Sequence, residues 1–351
     1  MGNQTLAIKY RPKTWNDVTE QSYIKEILEN QIETNTIKNA YLFCGGAGTG
    51  KTTTARIFAK EINNGLGNPI EIDAASNNGV EQVRTIIDDA KFKPLDSDYK
   101  VFIMDECHML STGAWNAMLK LLEEPPKTTI FILCTTDPQK IPGTILSRVQ
   151  RYDFQRISFE GIVNRLEYII TEENNELCRN YGGDDEDLFV KYDKASLEYI
   201  AKIADGGMRD GISLLDKCLS YTNDLSVENV VNALGVSDYQ NLDKLLTSIL
   251  SKDIKEIINI INNVYRSGKD LKQFIKQFIN FVLDLSKYQI YKSYDFIQIP
   301  NTINLDKYDK YDFESLLDLL DDLITLSNQI KYESNPKILI ESKLLVKCKG
   351  R

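Results

Sequence analysis

The sequence predicts an α/β fold, a parallel sheet with helices on both faces, followed by two all-α segments. Three observations carry that reading. Up to about residue 157, short β-type runs alternate with helical runs, the pattern of a parallel sheet. A glycine-rich loop stands between one of those runs and the next helix. Beyond residue 157, apolar residues recur three and four apart, the period of amphipathic helices. The expected strands are Ala40–Cys44, Ile70–Ala74, Val101–Asp105, Thr129–Thr135 and Gln150–Phe154, with a helix over Lys51–Asn63. A second part, 158–222, is expected to be helical over Ile162–Glu173, Lys194–Ala204 and Arg209–Tyr221, with the Gly/Asp-rich stretch Asn180–Asp187 as a solvated loop or insertion. A third part, 223–351, has no strand signal. Runs such as Asp253–Tyr265 and Leu271–Tyr288 predict a helical bundle there, and Ile297–Asp309, with Pro300, predicts a loop.

Composition narrows the class. A chain of 351 residues with 42% apolar and 26% charged residues can bury two or three cores. No run reaches the roughly 18 apolar residues of a membrane span, and no signal-peptide pattern opens the sequence, so a cytoplasmic protein is expected. Six cysteines, none in a C-x-x-C pair, argue against a disulfide framework or a cysteine zinc site. The net charge of -9 concentrates in residues 161–230. An acidic whole does not bind nucleic acid by bulk charge, so any DNA contact must come from a local basic surface or from several assembled subunits.

The chemistry lies in the first part. Gly45-Gly46-Ala47-Gly48-Thr49-Gly50-Lys51-Thr52, followed by Thr53, matches G-x-x-x-x-G-K-[ST] between a strand and a helix. Glycines let the backbone N–H groups turn toward phosphate oxygens at the positive end of the helix dipole. Lys51 is placed to reach the β- and γ-phosphates, and Thr52 offers a hydroxyl to Mg²⁺. Some fifty residues on, the buried-strand run Val101–Met104 ends in Asp105-Glu106. Alone, these are two acids in a turn. Paired with the phosphate loop, Asp105 is expected to hold Mg²⁺ and Glu106 to orient and deprotonate the attacking water. His108, the one histidine, has no partners at metal-ligand spacing, and Cys107 and Cys134 read as small packing residues.

Further motifs carry a resemblance. Tyr10-Arg11-Pro12-Lys13-Thr14-Trp15, the phosphate loop, Glu71–Val80, Met104–Thr112, Asn116–Pro126, Thr135–Lys140 and Ile145–Arg148 together resemble the bacterial clamp-loader motor subunit, the gamma/tau subunit of DNA polymerase III, an AAA+ ATPase. The likeness is dense over 7–157, continues through Asp205–Asp216 and is weaker in the third part. It implies an AAA+ P-loop ATPase domain over 1–157, a helical lid over 158–222 and a helical collar for oligomerisation over 223–351. Implied too are ATP and Mg²⁺, a pentamer with other clamp-loader subunits, a sliding clamp and primer-template DNA, with no membrane. By the same resemblance Thr136 matches the sensor near the γ-phosphate, and Arg148 the arginine finger supplied to a neighbouring subunit. Arg209 matches the second sensor, which couples the lid to nucleotide, and Tyr10, Arg11 and Val18 fall in the segment lying against the adenine. Without the resemblance, Arg148 would read as a surface arginine after a helix. Asn77, Asn78 and Arg84 lie at the start of the helix that in this family lines the DNA channel, and Lys91 and Lys93 end it. A solvated helix face explains those two lysines equally well.

The sequence departs from the family pattern at several points. Glu61–Pro69 is too short for the cysteine-rich zinc module usual there, so no zinc is expected and the chain reads as a short form ending at the collar. Glu20 replaces a usual glycine, and Val149 a usual cysteine. Two other functions stay in view: a non-catalytic stator of the same assembly, which typically loses the phosphate loop, and another AAA+ DNA motor such as a branch-migration helicase. The latter lacks the Ser147-Arg148 pattern.

Overall fold

Five strands build the sheet: β1 (Ala40–Cys44), β2 (Ile70–Asp73), β3 (Lys100–Asp105), β4 (Thr129–Thr135) and β5 (Gln150–Asp153). They pair in the order β2-β3-β4-β1-β5, every pair parallel. In this computed structural model the described residues are 4–181, 189–234, 237–294, 297, 299, 303–331, 333 and 335–349. They fall into two compact units, Met1–Asn223 and Asp224–Arg351.

Strand alternation sorts the core of the first unit into two layers. Tyr41, Phe43, Ile103 and Ile132 face one side, where they meet Leu28 of α2 (Ser22–Glu33) and Ala55 and Phe58 of α3 (Lys51–Glu61). Leu42, Phe102, Met104 and Leu133 face the other side. There they meet Val83 of α4 (Val80–Ala90), Trp115 and Met118 of α5 (Thr112–Glu123) and Ile145 of α6 (Gly143–Leu146). With helices on both faces, β1 and β4 are buried at every position, which is why they read as unbroken apolar runs. A short helix, α1 (Leu6–Lys9), precedes these elements, and α7 (Phe159–Tyr181), α8 (Lys194–Ala204) and α9 (Met208–Tyr221) follow β5. The two-residue strand β6 (Lys191–Tyr192) lies between α7 and α8.

Boundaries shift for local reasons. β2 ends at Asp73, one residue before the expected Ala74, because the Asp73 carboxylate accepts the Ala75 N–H at 2.9 Å and the Ser76 hydroxyl at 2.8 Å, turning the chain. β5 ends at Asp153, although Phe154 N–H still donates to Cys44 O at 2.7 Å. Helix α3 ends at Glu61, before the expected Asn63, and the chain leaves it through Asn64 and Gly65, both at positive φ. Helix α7 extends beyond the expected Ile162–Glu173 at both ends, and α9 starts one residue early. Of the Asn180–Asp187 stretch, Asn180 and Tyr181 end α7 and the rest lies outside the described residues.

The second unit opens on a two-residue strand, β7 (Asp224–Leu225), which corrects the strand-free expectation for 223–351. Two residues are too few to leave a periodic trace. Helices α10 (Val227–Leu234), α11 (Ser237–Leu250), α12 (Ile254–Arg266), α13 (Leu271–Tyr291), α14 (Phe313–Ile330) and α15 (Pro336–Lys349) follow. Phe274, Phe278 and Phe281 of α13 pack with Ile257 and Ile261 of α12 and Leu316, Leu319 and Leu323 of α14 in one core. The expected loop 297–309 holds a 3-10 turn, Asp306–Tyr308, whose Tyr308 hydroxyl donates to Asp243 Oδ1 at 2.8 Å; Pro300 lies outside the described residues. Among the described residues no helix is long and apolar enough to cross a membrane.

Candidate nucleotide site

Strand register gathers the polar residues. Cys44 lies opposite Thr135, and Asp73 opposite Asp105. The loop after β1, the Asp105-Glu106 pair and Thr136 therefore leave the sheet at its carboxyl edge, where open parallel sheets bind ligands.

The loop requires glycine at two positions in particular. Gly48 has φ +69, and a Cβ there would lie 3.1 Å from Gly207 Cα; at Gly45 a Cβ would come within 2.6 Å of Phe154 O. Lys51 is buried, and its ammonium donates to Gly45 O at 2.9 Å and Gly46 O at 2.7 Å. Burial pulls its pKa below the ordinary lysine value, although Glu106 and Asp105 pull the other way. Thr52 Oγ1 donates to Asp105 Oδ2 at 2.8 Å. A hydroxyl and a carboxylate side by side are hard oxygen donors, and with phosphate oxygens they fit Mg²⁺. Among the described residues no group of three or more His, Cys, Asp or Glu gathers as a metal cluster.

Glu106 follows with φ +46 and ψ 42, left-handed backbone that costs a non-glycine residue on the order of 1 kcal/mol. Its N–H donates to Asp105 Oδ1 at 3.0 Å, and its Oε2 accepts the Thr136 hydroxyl at 2.8 Å. The base and sensor expected from sequence are thus directly bonded. Tyr10, Arg11, Val18, Ala47 through Thr53, Asp105, Glu106 and Arg209 line one cavity of about 530 Å³. Gly45 and Gly46 form the neck of the loop beneath it and supply the carbonyls that hold Lys51.

The helices after the sheet close on this loop. Met208 N–H, at the start of α9, donates to Gly48 O at 3.1 Å, which brings Arg209 to the cavity. The N-terminal segment is tied to α7: Tyr10 Oη donates to Glu173 Oε1 at 2.6 Å, and Arg165 donates to Tyr10 O at 2.9 Å. Arg11 sits below its ordinary pKa, first through burial and then through the charges of Arg56 and Arg209. With Arg165, four guanidinium groups thus line one cavity, an arrangement suited to a polyanion.

Other expected residues are placed elsewhere. Arg148 does not line the cavity; it donates to Glu123 Oε1 and to Thr144 O, both at 2.6 Å. Asn77 and Asn78 occupy the turn before α4, which Gly79 caps, rather than the helix itself. Arg84, on α4, is exposed and paired with Glu81 at 2.7 Å. Lys91 caps the end of α4 and bonds Asp88, and Lys93 lies beyond it. Cys44, Cys107 and Cys134 are buried, and burial raises their thiol pKa values, that of Cys44 to about 11, so they pack as small apolar groups.

Glu20 shows what the usual glycine does at its position. Its φ is +57, and its carboxylate accepts the Ser158 N–H at 3.1 Å, an interaction glycine could not supply. Val149, the other departure, packs against the α5–α6 side of the core.

Two arginines of the cavity, and the placement of His108 beside Glu106, escaped the sequence reading. Arg56 and Arg165 line the cavity, Arg56 held by Glu71 at 2.6 Å. No spacing marks Arg56, because it lies on α3 and its partner on β2. His108 Nδ1 lies 3.3 Å from Glu106 Oε2 and 3.1 Å from Thr135 Oγ1. Its place two residues after Glu106 was the available signal.

A lid helix bonded to a glycine loop, over a parallel sheet of this strand order, is the build of an AAA+-type P-loop domain followed by helical lid and collar segments. Solved structures agree at the level of fold: the Thermotoga maritima RuvB Holliday junction branch migration motor superposes with a TM-score of 0.51 at 18% identity, covering 68% of this chain and 79% of its own. Three sequence families match in succession, namely DNA polymerase III, delta subunit, over 68–158, DNA polymerase III clamp loader subunit, ATPase lid domain, over 187–224, and DNA polymerase III subunits gamma and tau domain III over 225–304. DNA polymerase III subunit gamma of Buchnera aphidicola subsp. Schizaphis graminum is 32% identical over 87% of this chain and 86% of its own length. DNA polymerase III subunit tau of Bacillus subtilis is 36% identical over 99% of this chain. The chain belongs to the family of DNA polymerase III gamma/tau clamp-loader subunits. It spans 64% of the Bacillus relative and 53% of the Mycoplasma genitalium gamma/tau relative.

Proposed function

We propose that this chain is an ATP-hydrolysing clamp-loader subunit that opens a sliding clamp and loads it onto primed DNA during replication in the cytoplasm. The observation that carries this is that Lys51, Thr52, Asp105 and Glu106 line one cavity, with Thr52 bonded to Asp105 and Thr136 to Glu106, in a chain of the gamma/tau family. When bound between Thr52 and Asp105, Mg²⁺ would neutralise charge on the phosphates. Lys51 then leaves its loop carbonyls for the β- and γ-phosphate oxygens. Glu106 orients the attacking water and takes its proton, while Thr136 holds the carboxylate. Arg209 reads the nucleotide for the lid, and Tyr10, Arg11 and Val18 flank the adenine. Arg148 acts in trans, on ATP of a neighbouring subunit.

The division into an ATPase domain over 1–157, a lid over 158–222 and a collar over 223–351 belongs to the same proposal. So do pentameric assembly with other clamp-loader subunits, the sliding clamp and primer-template DNA as partners, and phosphate contacts from Asn77, Asn78 and Arg84. Zinc has no part in it. The stator reading is disfavoured by the intact Lys51, Thr52, Asp105 and Glu106. The helicase reading is disfavoured by the matches to gamma/tau families beyond the shared fold.

The test is steady-state ATP hydrolysis by the chain assembled with its cognate subunits, with and without clamp and primed DNA. Hydrolysis that rises with both supports a loader. Hydrolysis indifferent to the clamp favours another motor, and none at all in a folded assembly favours a stator.

A further inference from the structure

We infer that His108 is a positioning residue for ATP hydrolysis, which keeps the Glu106 carboxylate turned toward the site of the attacking water. This rests on the reading of Glu106 as the base. The Glu106 carboxylate is half-exposed, with side-chain exposure of 37%, so solvent competes for it and its rotamer must be held. Its two oxygens are treated differently. Oε2 faces the Thr136 hydroxyl at 2.8 Å, the Thr136 N–H at 3.4 Å and His108 Nδ1 at 3.3 Å, whereas Oε1 makes no protein hydrogen bond among the described residues. One oxygen is anchored, and the other is open to accept a proton.

His108 itself is well fixed. Its side chain is 11% exposed, and Nδ1 also lies 3.1 Å from Thr135 Oγ1, which accepts the Asp137 N–H at 3.0 Å. The turn that carries it is closed by Met109 N–H to Glu106 O at 2.9 Å and Leu110 N–H to Cys107 O at 3.1 Å. Ser111 N–H to Asn78 O, also 3.1 Å, ties the end of that turn to the chain before α4. With the proton on Nδ1, the imidazole donates to the Thr135 hydroxyl oxygen and lies in polar contact with Glu106 Oε2, the oxygen that Thr136 also holds, so that the carboxylate is braced against the end of β4. A histidine that served only to fill space beside β4 would need the Thr135 contact alone.

The experiment compares His108→Leu, His108→Asn, Glu106→Gln and the pair Glu106→Gln/His108→Leu in the full assembly. It measures kcat, affinity for a fluorescent ATP analogue and melting temperature. Asparagine keeps an N–H donor near the place of Nδ1, whereas leucine removes it. Losing one polar contact to a charged group predicts a drop in kcat of about tenfold to a hundredfold in His108→Leu, with analogue affinity and melting temperature unchanged. His108→Asn should restore most of that loss, and the double variant should be no worse than Glu106→Gln alone, because both changes act through one group. Full hydrolysis in Glu106→Gln removes the reading of Glu106 and this inference with it. Loss in Glu106→Gln but unchanged kcat in His108→Leu overturns the role of His108 alone. A loss shared by His108→Leu and His108→Asn, together with lower affinity and melting temperature, assigns His108 to packing and overturns it too.

Discussion

Glu106 and Arg148 sit at two corners of the same unit and are treated in opposite ways. At the Glu106 corner, side chains from the start of α3 and from the ends of β3 and β4 converge: Thr52 bonds Asp105, and Thr136 and His108 lie against Glu106. At the Arg148 corner the guanidinium turns from the cavity to Glu123 and the Thr144 carbonyl. The arginine expected to serve catalysis is thus held at the surface, while Thr52, Asp105, Glu106 and Thr136 are already bonded to one another in pairs. On the proposed reading the difference teaches that one chain builds the binding half of a site and offers the remaining charge to another. The Glu123 pair holds the guanidinium at little net energy, since an exposed pair contributes about 0–1 kcal/mol.

The largest effect expected from that contrast is that of Arg148→Ala. It should lower hydrolysis by the assembly by roughly 10³–10⁵, the usual worth of an arginine finger, and leave nucleotide binding to the isolated chain intact. Weakened binding in the isolated chain would show instead that Arg148 serves its own cavity. Glu106→Gln comes next. It should cut kcat by roughly 10²–10⁴ as a lost general base while ATP still binds, read by single-turnover hydrolysis beside equilibrium binding. If binding fails together with turnover, the carboxylate is holding the loop rather than activating water.

Two core truncations sharpen the comparison at the level of the fold. Phe43→Ala in the sheet and Phe278→Ala in the helical unit each remove a fully buried ring and should each cost about 3–5 kcal/mol. If the two compact units unfold separately, calorimetry will resolve two transitions and each variant will lower only one. A single transition lowered by both would show that the units unfold together. The smallest change is Arg84→Ala. Its exposed pair with Glu81 predicts a stability change within about 0.5 kcal/mol. If it meets a DNA phosphate, the salt dependence of DNA binding by the assembly should become shallower by roughly 0.9 in log–log slope. An unchanged slope would remove Arg84 from the interface.

How much was legible depended on whether a signal was local. The phosphate loop is contiguous, and strands buried on both faces must be apolar at every position, so the loop and β1, β3 and β4 could be read directly. Element ends were less legible. They turn on side-chain bonds, such as Asp73 closing its own strand or Asn64 and Gly65 ending α3 in left-handed backbone. The two-residue strand β7 was missed because it is shorter than any period.

The sequence by itself determined the sheet, the helices over it and the residue types at the cavity, because those depend on spacing along the chain and on apolar periodicity. Tertiary structure alone decided which of the acids and cations meet. Arg56 on α3 finds Glu71 on β2, Met208 brings Arg209 over Gly48, and His108 reaches Glu106 and Thr135 together. Each of these contacts follows from register between strands, from how a helix packs on the sheet or from where a lid helix docks, and none of these is a property of any short segment.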